Sequence, residues 1–382
     1  MTPELATPGT LGSMRPAVPL RVGILGAGMI ATIGYGYLPH LHRVRDRVRA
    51  VAIADRGLDR ARSVAVEYDI PRAVASLDEL LALDIEAVVN LLPGPDHFWA
   101  SKKVLESGRH LVTEKPLAST MAEADELLDL AEGRGLLVVT APAEMLAGEW
   151  AQARDLVRAG AIGKVAFGRV QSSHAGAAGL SWPVNPAQFY HEGVGALLDL
   201  GPYGLTQITG VLGPARRVMA MSGITVPSRR VRGGPFDGVE IPVTAPDNNL
   251  MMLDFGDSTF AVVDATFNVV ASRSPRLELF GLEGTLLVHR SGEGPPLDVY
   301  RLDAAPGLAG WIAPRTYEIF PLGSDDYGDL ARGSLITHLA DCLADGTEPV
   351  ASGAHARHVL EIMLAAQAAA VSGAAVDLVS TF

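Results

Sequence analysis

Between Arg21 and about Pro142 the chain alternates short, continuously apolar runs with segments of helical period. The runs "RVGILGAG", "VRAVAIAD", "IEAVVNLLP", "RHLVTEKP" and "LLVVTAP" are rich in β-branched residues and read as buried strands. Between them "LDRARSVAVEYDI", "HFWASKKVLESG" and "MAEADELLDLAEGRG" place apolar or alanine positions at helical spacing, the last ending in glycine as a helix should. This alternation predicts an α/β domain whose parallel sheet is covered by helices on both faces. After Pro142 the texture changes. A helix, "EWAQARDLVRAGAIG", leads to a strand, "KVAFGRVQSS", and a second helix follows in "GALLDLGPYGLTQITGVLG". Strand-like runs then succeed one another at hairpin distances: "RRVMAMSGITV", "NNLMMLDFGD", "STFAVVDATFNV", "PRLELFGLEG", "GTLLVHR" and "RTYEIFPL", with "FGDSTF" and "GLEGT" as turns. They predict an α+β domain with an open, mostly antiparallel sheet.

At 382 residues the chain exceeds one average core. The pattern divides it into an N-terminal extension (1–20), a first domain (21–142) and a second (143–382), with a last helix at about 355–372 expected near the domain junction. That Ala-rich helix is interrupted by Glu361, Gln367 and Ser372, so it reads as packed rather than membrane-spanning. A net charge of −12 argues against nucleic acid or an anionic membrane as the main partner and leaves a small molecule. The lone cysteine, Cys342, excludes an intrachain disulfide, and no Cys/His cluster has zinc-site spacing, so no metal is expected. The same cysteine usage sets the expectation of a reducing, cytoplasmic setting, and residues 1–20, which lack the basic start and apolar core of a signal peptide, read as a flexible arm.

Candidate chemistry begins at Gly26-Ala27-Gly28-Met29-Ile30-Ala31, a G-x-G-x-x-A pattern that follows a predicted strand and opens a predicted helix. Gly26 suits a tight turn, Gly28 suits close approach to a pyrophosphate, and the helix N-terminus favours its negative charge. The next strand ends in Asp55, placed to bond the ribose hydroxyls of NAD(H) and repel a 2′-phosphate. Arg56 beside it is able to accept that phosphate, so NADP(H) stays open. The first domain is thus expected to be a Rossmann domain.

Lysine is scarce here, with four among 31 basic residues, yet one stands in "HLVTEKPLAST". Lys115 ends a predicted parallel strand, the edge at which open α/β sheets bind ligands. A nicotinamide enzyme must move a proton as well as a hydride, and a desolvated lysine with a lowered pKa can do so. Pro116 restricts the backbone of Lys115, and Glu114 is positioned to orient the lysine or the cofactor's ribose.

The glycine loop with Asp55, "EKP" at 114–116 and "GVGALLDLGPY" at 193–203 together resemble the Gfo/Idh/MocA family, the glucose–fructose oxidoreductase and inositol dehydrogenase group. "GAIGKV" at 160–165 and "FGLEGTLLV" fit the same pattern, and the resemblance spans nearly everything after residue 20. It implies that Lys115 is catalytic and touches substrate and nicotinamide. It also implies that the second motif is Gly193-Val194-Gly195, then Asp199, with Tyr203 where histidine is usual. On a helix Asp199 and Tyr203 share a face, and Pro202 must then lie in a first turn or mark a kink. A phenol does not titrate near neutrality, so Tyr203 is expected to donate a hydrogen bond or relay a proton. Some family members also use tyrosine here, glucose–fructose oxidoreductase and certain sugar ketoreductases among them.

The resemblance further implies that "NLLPGPDH" lines the nicotinamide end, with Leu92 and Pro93 against the cofactor and His97 capping the next helix or facing the pocket. Glu144, Phe189 and His191 are expected to face the substrate. The basic cluster "SRRVRGG" at 228–234 reads as a diphosphate grip or, more simply, a solvated loop. The implied activity is NAD(P)-dependent hydride transfer to or from a secondary alcohol or ketone of a sugar, aminosugar, nucleotide-sugar or cyclitol, in a homodimer or homotetramer joined through the open sheet. Two rivals share the motifs: an NAD-dependent, redox-neutral glycosidase and a non-catalytic sensor.

Overall fold

The structure is a computed structural model that describes residues 18–290, 295–314 and 332–382. Most of the arm expected at 1–20 and the strand expected at 315–322 lie outside these residues. The first domain carries strands β1 (Leu20–Leu25), β2 (Val48–Ala54), β3 (Ala73–Val74), β4 (Ala87–Asn90), β5 (His110–Thr113) and β6 (Val138–Thr140). All pair in parallel, in the order β3-β2-β1-β4-β5-β6. Helices α1 (Met29–Thr32), α2 (Leu58–Glu67), α3 (Leu77–Leu81), α4 (His97–Glu106) and α5 (Met121–Glu132) lie between the strands.

Every residue of β4 is buried, as a strand covered on both faces requires. Thr120 and Glu123 close a reciprocal capping box at the start of α5, which then buries Ala124, Leu127 and Ala131 on one face. Strand order reverses between β1 and β4, and the crevice beyond their C-terminal ends is where such sheets take ligands.

The second domain begins with α6 (Gly148–Arg158) and β7 (Val165–Gln171), followed by α7 (Gly195–Leu212) and β8 (Arg217–Gly223). A short ribbon of β9 (Ser228–Arg230) and β10 (Glu240–Pro242) follows. Strands β11 (Asn248–Gly256), β12 (Thr259–Thr266), β13 (Leu277–Gly281), β14 (Gly284–Val288), β15 (Leu297–Ala305) and β16 (Leu308–Ile312) come next. Helices α8 (Gly333–Asp345) and α9 (Gly353–Ser372) and a two-residue β17 (Val376–Asp377) close the chain.

Among the described residues the second sheet runs β16-β15-β14-β13-β7-β12-β11-β8-β17, antiparallel except for the β7–β12 pair. Helices α7 and α9 cover one face. The other face leaves Met219, Met221, Leu250, Met252, Phe260 and Trp311 exposed, beside a stacked Phe167–Phe280 pair. Strict alternation along β11 explains this: Asn249, Met251 and Leu253 point inward, and their neighbours Leu250 and Met252 outward.

Helix α9 packs against α5, α7 and β8, at the junction. Helix α8 departs from the sequence expectation, which has no element there. Its Leu335, Ile336 and Leu339 enter the first domain's core with Val22, Ile24 and Val89. The chain therefore returns to the first domain before it ends, and this return delivers Arg332 to the crevice.

Candidate active site

The glycine loop follows β1 directly. Gly26 sits at φ +105°, and a Cβ there would meet the Leu91 carbonyl oxygen at 3.0 Å, so both backbone and space demand glycine. At Gly28 an added Cβ would meet nothing within 4 Å, leaving open room where the motif expects a pyrophosphate. The expected helix is only one turn long, because Gly34, Gly36 and Pro39 follow closely. A dipole that short attracts little, and the unpaired N–H groups of its first turn are what an anion would meet.

Asp55 ends β2 as expected, and it is nearly buried. It accepts hydrogen bonds from the backbone of Ala27 (2.9 Å) and Gly57 (2.8 Å) and pairs with Arg60 (2.5 Å). Burial alone would raise its pKa; Arg60 and the two N–H groups outweigh that and lower it. Arg60 thus occupies the Asp55 carboxylate, while Arg56 stays exposed on the cavity rim.

At the other end, Lys115 leaves β5 through a cis peptide bond to Pro116. Its Nζ donates to the Asp199 carboxylate (2.8 Å) and to the Asp199 carbonyl (2.7 Å), and lies 5.2 Å from the centre of the Tyr203 ring. Asp199 and Tyr203 do share one face of α7. Pro202 falls inside the helix rather than in its first turn. Ser172 sits on the same turn, its hydroxyl donating to the Leu200 carbonyl and accepting from the Gly204 N–H at 3.0 Å.

The expected lowering of the Lys115 pKa is not what this arrangement produces. Burial works against its charge, but Asp199, Tyr203 and Glu114 outweigh burial and hold the ammonium above its ordinary value.

Glu114 is buried and orients the lysine. It accepts the Lys115 backbone N–H (3.1 Å) and the Tyr37 hydroxyl (3.0 Å), and pairs with Arg332 at 3.3 Å. Arg332 also donates to the Tyr203 hydroxyl (3.0 Å) and lies over the Tyr35 ring at 5.2 Å. Burial opposes the guanidinium charge, but Tyr203, Glu114 and Tyr37 raise its pKa further.

His97 begins α4 and is almost wholly buried, with Nδ1 2.7 Å from the Pro116 carbonyl and Nε2 2.7 Å from that of Leu92. It ties the "NLLPGPDH" loop to the "EKP" turn, a brace rather than a helix cap. Glu144 accepts from Gln207 at 2.8 Å; burial raises its pKa, partly offset by Gln207, Arg276 and Arg332.

One cavity of about 2640 Å³ joins these ends. That exceeds the ~300–1,000 Å³ of a site for one drug-sized molecule and leaves room for a dinucleotide and a second ligand. Gly26, Gly28, Met29, Ile30, Leu92 and Pro93 line it, as do Glu144 and Phe189. His191, by contrast, is exposed and is not among the lining residues, although Phe189, Gly193 and Val194 on either side of it are. The basic cluster is also elsewhere, with Arg229 held by Asp247 at 2.5 Å. Among the described residues no group of His, Cys, Asp and Glu could hold a metal ion, and no helix is long and apolar enough to cross a membrane.

Residues 20–141 match the model of the Gfo/Idh/MocA oxidoreductase family with its NAD-binding Rossmann fold, and residues 150–287 match that family's C-terminal domain. The chain belongs to the Gfo/Idh/MocA family. Among its relatives is a dTDP-3,4-didehydro-2,6-dideoxy-α-D-glucose 3-reductase of Streptomyces violaceoruber, 30% identical over 74% of this chain and 78% of that one. An uncharacterized oxidoreductase of Synechocystis is 26% identical over 68% and 71% of the two chains. Levoglucosan dehydrogenase in complex with NADH and L-sorbose superposes with a TM-score of 0.80 at 21% identity, covering 95% of this chain and 100% of that one.

This Gfo/Idh/MocA protein is therefore an NAD-dependent oxidoreductase. Its open space at Gly28, its carboxylate at Asp55 and its large crevice fit the dinucleotide. Sequence reasoning missed Tyr35, Tyr37, His174 and Arg332. The apolar spacing of Leu335, Ile336, Leu339 and Leu343, ended by Gly346, was the available signal for α8 and hence for Arg332. His174 follows β7, lines the cavity and accepts the Gly176 N–H on Nδ1 at 2.8 Å, which puts the proton of its neutral ring on Nε2.

Proposed function

We propose that the enzyme transfers hydride between NAD(H) and a secondary alcohol or ketone of a carbohydrate-like substrate, with Lys115 as the proton acceptor and donor. The observation that carries this is the Lys115–Asp199–Tyr203 cluster, inside the same cavity as the glycine loop. When bound, the oxidised cofactor supplies the hydride acceptor and a positive charge that favours neutral Lys115. Neutral Lys115 takes the hydroxyl proton as the substrate carbon loses hydride; in reduction the ammonium returns a proton to the new alkoxide. Asp199 fixes the Lys115 amine, and the Tyr203 hydroxyl, held by Arg332, bonds the reacting oxygen. Glu114 and Arg332 lock Lys115 and Tyr203 in register, which is positioning rather than proton transfer.

The sugar-type names of the relatives support the substrate class: a deoxysugar nucleotide for one and levoglucosan for another. We also propose that the apolar outer face of the second sheet pairs with a second copy of the chain, since an exposed patch of this composition marks an interaction surface. Light scattering on the purified protein tests it, and a monomer at micromolar concentration would refute it. For the activity, the near-ultraviolet absorbance of NADH is followed with NAD⁺ or NADP⁺ across sugars, aminosugars, nucleotide-sugars and inositols. Formation of NADH with one class, abolished in Lys115→Met, is expected. Turnover that persists in Lys115→Met would remove the lysine from the mechanism.

A further inference from the structure

Beyond the reacting groups, the cavity wall includes two arginines from the open end of the β13–β14 hairpin, Arg276 just before β13 and Arg290 just after β14. The hairpin brings their backbones together, the Arg276 N–H donating to the Val288 carbonyl at 2.8 Å. Both guanidinium groups rest on Gln171 at the end of β7: Arg276 donates to its carbonyl at 3.3 Å and Arg290 to its side-chain oxygen. Arg290 also donates to the Ser274 carbonyl at 3.3 Å. Among the described residues neither arginine has a carboxylate within ion-pair distance.

The nearest acids are already engaged. Glu144 is bonded to Gln207, and Asp264 accepts from the Ser172 N–H at 2.8 Å and from the Ser173 hydroxyl. Two like charges are thus held together in a cavity wall of an acidic protein, with most of their N–H donors unspent among the described residues. Burial, and then the charge of Arg290, lower the pKa of Arg276, while Glu144 and Asp264 only partly restore it. His174 connects this pair to the chemistry, lying within electrostatic reach of Arg276 and also of Asp199 and Lys115.

We propose that Arg276 and Arg290 form an anion subsite for a phosphoryl group of the substrate, whose sugar ring is then presented to Lys115. One guanidinium is enough to grip a carboxylate through two parallel bonds; a pair with free donors on both suits the several oxygens and larger charge of a phosphoryl group. The subsite rests on the hydride-transfer function proposed above and narrows its substrate to phosphorylated or nucleotide-activated sugars.

The test is calorimetry on the full-length, NAD⁺-saturated protein, using thymidine diphosphate, glucose 6-phosphate, glucuronate and glucose as probes. At least one phosphorylated probe is expected to bind tenfold or more tighter than glucose. That preference should fall at least tenfold in Arg276→Gln and in Arg290→Gln and return in part in Arg276→Lys. NAD⁺ affinity, measured on the same samples, reports that each variant is folded. Preference for thymidine diphosphate assigns the subsite to the diphosphate of an activated sugar, and preference for glucose 6-phosphate assigns it to a phosphomonoester.

The subsite is overturned if no phosphorylated probe outbinds glucose, if the preference survives both substitutions, or if glucuronate binds as tightly. Oxidation of a neutral sugar with no anion preference would remove the subsite and keep the hydride-transfer function. Anion binding lost in Arg276→Gln, with no hydride transfer to any sugar, would do the reverse.

Discussion

At the dinucleotide end of the cavity, Gly26, Gly28 and Asp55 come from the ends of two neighbouring strands, and the glycines act through backbone shape and empty space. At the Lys115 end, the groups come from positions 35, 37, 114, 115, 199, 203 and 332, and meet through side-chain charges, hydroxyls and ring faces. A pyrophosphate needs only N–H groups and room, which a short loop can supply. A proton-transfer site needs charges set against one another, and these must converge from distant elements to hold their geometry. The two ends should therefore fail differently.

The largest separation is expected for Lys115→Met. Loss of a positioned acid/base costs about 10²–10⁴ in turnover, while NAD⁺ affinity should stay within a few-fold of the parent. Stopped-flow turnover with parallel NAD⁺ titration checks this, and a proportional loss of cofactor binding would erase the contrast between the ends. Asp199→Asn sharpens it through pH. Burial opposes the Lys115 charge, and Asp199 is the largest of the groups that raise its pKa against it, so without Asp199 the amine loses its proton at lower pH. The alkaline-rising limb of alcohol oxidation should then move to lower pH, in a pH–rate profile of kcat/KM.

Next comes Arg332→Gln. It leaves the buried Glu114 carboxylate without its cation, and breaking a buried pair in this way typically costs ~3–5 kcal/mol. Thermal melting should report most of that cost, and the pH–rate profile should also shift because the Tyr203 hydroxyl loses its donor. Arg332→Lys should recover stability better than it recovers the profile, since an ammonium cannot span Glu114 and Tyr203 as a planar fork does. Equal recovery of both would make Arg332 a purely structural residue.

The same contrast explains what could be read from the chain. The parallel sheet, the glycine turn after β1, the strand ends at Asp55 and Lys115 and the shared helix face of Asp199 and Tyr203 were legible as placements in the fold, because each rests on local periodicity or on a contiguous motif. The glycine loop opened a shorter helix than expected, since Gly34, Gly36 and Pro39 cut it off within one turn. Arg332 was not legible as a site residue. The apolar spacing after it marks a helix but no site, and the meeting of Arg332 with Glu114 and Tyr203 appears only when α8 returns to the first domain's core. The direction of the Lys115 pKa failed for a related reason: burial follows from a strand end, but the opposing carboxylate arrives from a helix more than 80 residues away, as the Lys115–Asp199 separation of 84 records. His191 lies in a turn closed by the Val194 N–H on its carbonyl at 3.1 Å, and its side chain is exposed, which periodicity did not indicate.

Gly26→Ala probes the dinucleotide end at intermediate cost. A side chain at φ +105° with a carbonyl oxygen 3.0 Å from its Cβ is strained by about 1–3 kcal/mol. Melting temperature and NAD⁺ affinity should fall together, because the loop that is strained is also the loop that binds. A variant that melts lower yet binds NAD⁺ normally would show that the turn is needed for folding alone.

The smallest effect is expected where the two styles of construction meet. Asp55 is a side chain in a backbone-built site, and Arg60 occupies it at 2.5 Å while remaining 60% exposed. A ribose reaching Asp55 must displace that guanidinium; Arg60 is exposed and well solvated once released, and the ribose hydroxyls then satisfy the carboxylate, so the exchange forfeits only about 1 kcal/mol. Arg60→Ala should therefore tighten NAD⁺ by up to about five-fold, with high salt mimicking the gain in the parent protein. The same substitution removes a cation that, once released from Asp55, stands ready beside Arg56 for a 2′-phosphate, so NADP⁺ should weaken as NAD⁺ tightens. Fluorescence titration with both cofactors separates the possibilities. Opposite shifts would mean that Arg60 tunes cofactor choice, whereas parallel weakening would mean that it holds Asp55 in place and that even this end depends on side-chain charge.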